Sequence, residues 1–248
     1  MRVLPLLLAC LAPLLHAADA TTMVQDALAA EARFDARTAL TLFRQADALR
    51  PNDAMILQKI SKQYSDATAD TSNPVEKQRL CIQALAYAQR AVALEPRNVV
   101  NVLSLAICYG KLSTYADTRT KLEYSRFVKR YAEQALALNP DHAYAHHVLG
   151  RWNYEVASLG FGTRFLVRVI YGGLPDASTA EAVRQLRRAT ELAPAFPAHR
   201  VELGFALLAD GQRDAARQAF EQALVMPKRE KYDEEAWARA RTALAGLR

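Results

Sequence analysis

Three histidines stand together at 142, 146 and 147, and His142 and His146 are four apart, on one helical face at the spacing that lets two imidazoles share a metal ion. Asp141 is the one carboxylate beside them and no cysteine completes the set, so the group reads as the polar start of a helix with partly buried imidazoles. Glycines at 160, 162, 172 and 173 do not make a phosphate loop, because the lysine-serine ending is missing and no strand precedes them. No spacing argues for a serine-histidine-aspartate set or a pair of catalytic carboxylates. Cys81 and Cys108 both sit in apolar helical patterns, where cysteine serves as a small core residue; an oxidising compartment permits a bridge between them, but spacing cannot supply its geometry. These residues therefore assign no catalytic group, no cofactor and no metal, and the expectation is a protein that is not an enzyme.

The elements that carry these residues are repeated. Small or apolar residues four and then three apart, followed by proline, recur as Ala39…Phe43…Ala46…Pro51, Ala84…Ala88…Ala91…Pro96, Val128…Ala132…Ala135…Pro140, Ala182…Leu186…Ala189…Pro194 and Ala216…Phe220…Ala223…Pro227. Each copy is a helix with a narrow seam that stops before its proline, the pattern of the second helix of a tetratricopeptide unit. The first helices align on a large apolar residue followed by a small one: Ile60-Ser61, Leu105-Ala106, Leu149-Gly150 and Leu203-Gly204. The expected fold is all-α, a tetratricopeptide-like α-α superhelix of about five helix pairs with insertions and a C-terminal capping helix.

Only the last unit has standard length. Three others carry about 10 to 20 extra residues in the turn between their helices, a place where insertions project from one face of a solenoid. The stretch from Asp66 to Pro74 reads as a loop with a helix extension, and that from Thr114 to Tyr124 as a lengthening of both helices. The third insertion is different: glycines at both ends enclose the apolar run Phe161–Tyr171, with Arg164 and Arg168 four apart, then Gly172-Gly173-Leu174-Pro175. Such a short basic-striped helix either packs back onto the solenoid or docks a partner or membrane surface through Arg164, Phe165, Arg168 and Val169.

The formal net charge of the 248-residue chain is +6, which favours acidic partners electrostatically. Aromatic residues are not interleaved with lysine and arginine, so no nucleic-acid partner is expected. Residues 1–20 have the layout of a secretory signal: Arg2, an apolar run from Val3 to Leu15, and small residues through Ala20. With Pro5 and Pro13 inside, the run falls short of the roughly 20 residues of a membrane span. Cleavage after Ala17 or Ala20 is expected, leaving a repeat domain over 21–248 in a periplasmic or secreted protein. Leu7-Leu8-Ala9-Cys10 is similar to a lipoprotein box, but the apolar run continues past the cysteine, which reads against lipidation.

From His146 onward the order of features resembles the regulator of microtubule dynamics family. The residues that carry the resemblance are Leu149-Gly150-Arg151-Trp152, Val156-Ala157, Arg164, the turn Tyr171-Gly172-Gly173-Leu174-Pro175, Ala182…Ala189…Glu191…Pro194, Leu203-Gly204, and Pro227…Asp233-Glu234-Glu235 before the last helix. The resemblance spans Ala84 to Leu247 and implies a helical-repeat interaction protein without an established catalytic site, associated in animals with microtubules or mitochondrial membranes. A microtubule role requires that residues 1–20 are not a secretion signal.

In a tetratricopeptide unit, the residues two before and two after the large apolar residue of the first helix line the concave groove. Here they are Gln58 and Lys62, Leu103 and Ile107, His147 and Arg151, and Val201 and Phe205. The expected function is a scaffold binding a protein or extended peptide there, with Leu103, Ile107, Val201 and Phe205 as apolar anchors and Lys62 or Arg151 holding a carboxylate. Membrane docking through 161–175 is the alternative. Trp152 and Tyr154 read as core and packing residues.

Overall fold

The computed structural model describes residues 11–247, with side chains described from Asp19 onward except those of Phe161, Arg164, Phe165, Leu166 and Tyr171. Residues 1–10 of the expected leader, with Cys10, lie outside the described residues. The chain falls into two compact units, Met1–Ser104 and Leu105–Arg248. Among the described residues there are α-helices and two short 3₁₀ turns, and no strand.

The first unit holds the pairs α1 (Leu11–Ala32) with α2 (Ala36–Leu49) and α3 (Ala54–Ala67) with α4 (Pro74–Leu94), and the start of α5 (Val99–Leu112). The second holds the end of α5, then α6 (Thr118–Leu138), α7 (Ala143–Ala157), α8 (Phe161–Tyr171), α9 (Thr179–Leu192), α10 (Pro197–Ala209), α11 (Arg213–Leu224) and α12 (Asp233–Ala245). There α7 pairs with α9 and α10 with α11, while α12 packs on both α10 and α11.

Helix boundaries follow from local chemistry. Asp35, Asp53 and Asn73 accept a backbone N–H of the first turn of α2, α3 and α4, and Asp117 and Ser178 do the same for α6 and α9. Pro74 opens α4 at a position where the missing N–H costs nothing. At the other end, the N–H groups of Arg50, Glu95, Asn139 and Ala193 close the last turn onto Ala46, Ala91, Ala135 and Ala189, and the proline that follows each cannot extend the helix.

Every residue of the five seams is buried, most of them completely. Within the first unit, Ser61 on α3 meets the α4 seam by donating its hydroxyl to the Ala84 carbonyl at 2.8 Å. In the second unit the meeting points are glycines. A Cβ on Gly150 would stand 2.6 Å from Leu186 Cγ, and one on Gly204 would fall between 2.5 and 2.9 Å of three Phe220 ring atoms. That close approach lets Leu186 and Phe220 be wholly enclosed, each contributing about 1.5–3 kcal/mol from apolar burial.

Helix α1 runs unbroken through Ala17 and Ala20, the two expected cleavage positions, and Ala20, Val24, Ala27 and Ala30 are buried. Glu31 near its end accepts from Lys59 Nζ at 3.0 Å and Gln63 Nε2 at 2.9 Å, which pins α1 to α3. The insertion at 66–74 is the end of α3, a 3₁₀ turn and a loop, as its composition implies, whereas the stretch at 114–124 lengthens only α6: α5 ends at Leu112 and a 3₁₀ turn follows, so the expected lengthening of both helices is not found.

Candidate functional site

In the first unit Gln58 on α3 donates to the Ser104 hydroxyl at 3.3 Å, and Leu103 is buried at 3% exposure. Lys62 is paired with Asp66 at 2.6 Å and lies 3.6 Å from Glu31, so the expected carboxylate holder already has two carboxylates.

In the second unit the face of α7 and α10 is packed below and charged above. Val201 is completely buried and His147 nearly so, while Ile107 and Phe205 are half-buried. Phe205 meets the Phe220 ring edge-on at a centroid separation of 5.0 Å, and the Arg239 guanidinium lies over its other side, 4.5 Å from the centroid. Burial of this face follows from spacing: α10 is apolar at 201, 203, 205, 206 and 207 and packs on α7, α9, α11 and α12.

The centre of the charged layer is Glu202, a residue outside the expected groove set, with a side chain only 3% exposed. It accepts from Arg239 Nη1 at 2.6 Å and from the Tyr154 hydroxyl at 2.6 Å, and Arg151 Nη1 stands 3.6 Å away. Burial alone pushes the Glu202 carboxyl up, but Arg151, Arg239 and His147 together hold it down at about 2. The same enclosure drives the Tyr154 hydroxyl well above its usual range, with the Glu202 charge adding to the effect. Arg151 is raised in turn, chiefly by Glu202; it also donates to Glu155 at 2.8 Å and keeps 47% of its side chain exposed. Arg239 is 34% exposed. The arrangement holds two guanidiniums at the surface over one dry carboxylate.

Beneath it lies an imidazole pair. His147 Nδ1 and His199 Nδ1 are 3.0 Å apart, so one ring donates and the other accepts, in opposite tautomers. Tyr144 and Phe196 flank them. Burial holds His147 down at about 4 and His199 at about 3, so both are neutral at neutral pH. His142 and His146 have local duties: His142 caps α7 through Nδ1, and His146 lies between the Pro140 carbonyl at 2.8 Å and Gln185 Oε1 at 2.5 Å. No group of three metal-ligating side chains occurs among the described residues. Cys81 and Cys108 are buried, each as a thiol.

Of the third insertion, Arg168 and Val169 are exposed on α8, whereas the side chains of Arg164 and Phe165 lie outside the described residues. The segment lies against α6: Arg126 donates to the Gly173 carbonyl at 2.6 Å, and Leu174 and Ala177 pack against Val128, Leu149 and Trp152. Trp152 is core, as its position implies, and donates Nε1 to Ser125. Tyr154 is not only packing, since its hydroxyl belongs to the Glu202 network. Glu202, Arg239 and His199 do not stand out in the sequence because Glu202 and His199 are one and two positions from the groove residue Val201 and Arg239 comes from the capping helix. The one available signal was a lone glutamate inside the apolar run of α10.

Comparison with known proteins then places the chain. The family described as Regulator of microtubule dynamics protein 1-3 matches over residues 23–248. Regulator of microtubule dynamics protein 1 of Bos taurus is 28% identical over 158 residues, 63% of this chain and 48% of that protein. Protein 3 of Xenopus laevis is 28% identical over 140 residues, 56% of this chain and 30% of that protein. The chain thus spans about half the length, or less, of these curated relatives. Among solved structures, a thermophilic tetratricopeptide-repeat protein of Thermus thermophilus superposes with a TM-score of 0.66 at 22% identity, covering 91% of this chain and 99% of that one. Pseudomonas aeruginosa pilF gives 0.52 at 15% identity, covering 94% and 90%. These two carry the fold: an all-α, tetratricopeptide-like helical solenoid. The relatives also correct the location expected from residues 1–20. Regulators of microtubule dynamics in animals are not periplasmic or secreted proteins, so a leader-like composition at the start of the chain does not place this one outside the cell.

Proposed function

Because the chain belongs to the regulator of microtubule dynamics family, we propose that this helical scaffold binds protein through the first-helix face of α7 and α10, and that its partner presents an acidic segment there. The observation that supports this reading is the pair of half-exposed guanidiniums, Arg151 and Arg239, held over the buried Glu202. Removing a carboxylate from water is costly, and here it serves to fix two planar forks whose outer edges remain open. Such forks suit bidentate contact with a carboxylate. Glu155, 51% exposed, occupies Arg151 in the absence of a partner, and an exposed ion pair worth about 0–1 kcal/mol is readily displaced. Phe205 beside them supplies apolar surface under Arg239.

The microtubule is the partner to which the relatives' names point, and a net charge of +6 suits an acidic protein surface. Co-sedimentation of the full chain with polymerised microtubules tests both halves. The chain pellets with the polymer at low salt and less at high salt, and Arg151→Glu loses most of that binding while staying folded. Absence of the wild-type chain from the pellet rules out the microtubule as partner. Equal pelleting of Arg151→Glu rules out this face.

A further inference from the structure

On a different surface of the second unit, we infer that the cleft between α6 and α8 is a docking site for a short peptide segment that carries apolar side chains next to acidic ones. The cleft has a volume of about 520 Å³ and is lined by Arg119, Leu122, Glu123, Arg126 and Ile170. This lies within the roughly 300–1,000 Å³ typical of ligand pockets.

The cleft exists because the insertion is fixed at its exit. Gly172 closes α8 in the left-handed conformation, φ +76°, and Gly173 follows at φ +85° while donating its N–H to the Val167 carbonyl. Arg126 holds the Gly173 carbonyl, Lys129 Nζ reaches the Asp176 carbonyl at 3.4 Å, and Leu174 packs under the chain. Val167 is thereby buried at 7% exposure. Val169 and Ile170 are left 66% and 62% exposed, with Ile170 forming one wall of the cleft.

Charge selects the occupant. Arg119 and Arg126 line the α6 side and Arg168 is exposed beside Val169, with Glu123 as the one lining carboxylate among the described residues. A segment with alternating apolar and acidic residues satisfies both the β-branched wall and the basic rim; a basic segment is repelled from it. A lipid surface fits less well, because the exposed Ile170 faces the charged side of α6 across a cleft, with Arg119, Glu123 and Arg126 opposite it.

Fluorescence polarisation on the full chain tests this, with a short fluorescein-labelled peptide alternating leucine and glutamate as probe and its leucine-lysine counterpart as control. The acidic probe binds, and Ile170→Asp weakens it at least about tenfold, a loss of about 1.4 kcal/mol. Arg119→Glu does the same, and the lysine probe does not bind. Both variants change exposed or cleft-lining positions, and unchanged far-ultraviolet circular dichroism confirms that they fold. Arg151→Ala leaves probe binding unaltered, which separates this site from the α7–α10 face. The inference is overturned if Ile170→Asp binds the probe like wild type, if both probes bind equally, or if only anionic phosphatidylserine vesicles bind.

Discussion

Gly204 lies so close to Phe220 that a Cβ in place of its hydrogen would stand 2.5 Å from Cε1 of the ring. Phe220 is completely buried and also meets Phe205, so it has nowhere to retreat. Gly204→Ala therefore forces α10 and α11 apart and lowers stability by about 1–3 kcal/mol. Gly150→Ala behaves similarly against Leu186, where the Ala182 carbonyl at 3.2 Å limits adjustment. Gly162→Ala, with nothing within 4 Å, stays within about 0.5 kcal/mol. Urea unfolding midpoints compare the three; an unchanged Gly204→Ala midpoint contradicts the account of the seam.

The imidazole pair makes stability depend on pH. His147 and His199 fall from 6.5 to about 4 and about 3 in the folded chain, so between these values and 6.5 the unfolded chain binds more protons. Stability then rises with pH through that window and falls as the solution is acidified from 6.5 towards 3. At pH 5 the loss relative to pH 8 is about 2 kcal/mol for each ring. Glu202 and the guanidiniums of Arg151 and Arg239 are the charged groups that act on the pair, and they do not titrate in this range. His199→Asn removes about half of the pH dependence, read as the difference between urea midpoints at pH 8 and pH 5.

Glu202→Gln keeps the size of the side chain and an acceptor for Tyr154 but removes the charge that neutralises Arg151 and Arg239. Because both guanidiniums retain contact with solvent, the cost is about 2 kcal/mol, below that of breaking a fully enclosed pair. Its carboxyl sits at about 2 in the folded chain against an ordinary 4.5, so its contribution is complete above 4.5 and disappears as pH falls through 2. Adding Arg239→Ala to Glu202→Gln costs less than the sum of the two single changes, since the second removes a charge already stranded. A thermodynamic cycle from denaturant unfolding gives the coupling; strict additivity refutes the network.

Glu31→Ala leaves Lys59 and the buried Gln63 without their shared acceptor, at a cost of about 1–2 kcal/mol. Amide exchange along α1 accelerates while that of α10 stays constant. If α1 exchanges at the wild-type rate, the Glu31 contact is incidental.

The repeat itself was legible in the sequence, and for a physical reason. A seam made of alanines four and three apart admits one kind of neighbour, and Ala88, Ala132 and Ala189 are buried as that spacing demands. The family resemblance, carried by the stretch from Leu149 to Pro175, agrees with the family matched over residues 23–248. What composition could not supply was which charges meet. Lys62 and Arg151 stand at groove positions by number, but Asp66 and Glu31 hold the first, and Glu155 and Glu202 share the second. Glu202 and Arg239 are 37 residues apart, and only the packing of α12 on α10 brings them together. The leader-like start misled on location because the composition of residues 1–20 does not by itself name a compartment, whereas the relatives do bear on it.

The reach of Arg239 across to Glu202 bears on which helix can follow the α10–α11 pair. Stacked helices can in principle go on accepting further copies, since each end offers the face its successor would cover. Here α10 carries a buried anion that α12 meets with a cation of its own. A generic repeat helix substituted for α12 would cover the apolar surface yet leave that anion with one fewer counterion. The choice of helix after α11 is therefore constrained by electrostatics as well as by apolar cover, and the identity of α12 is written into the repeat before it.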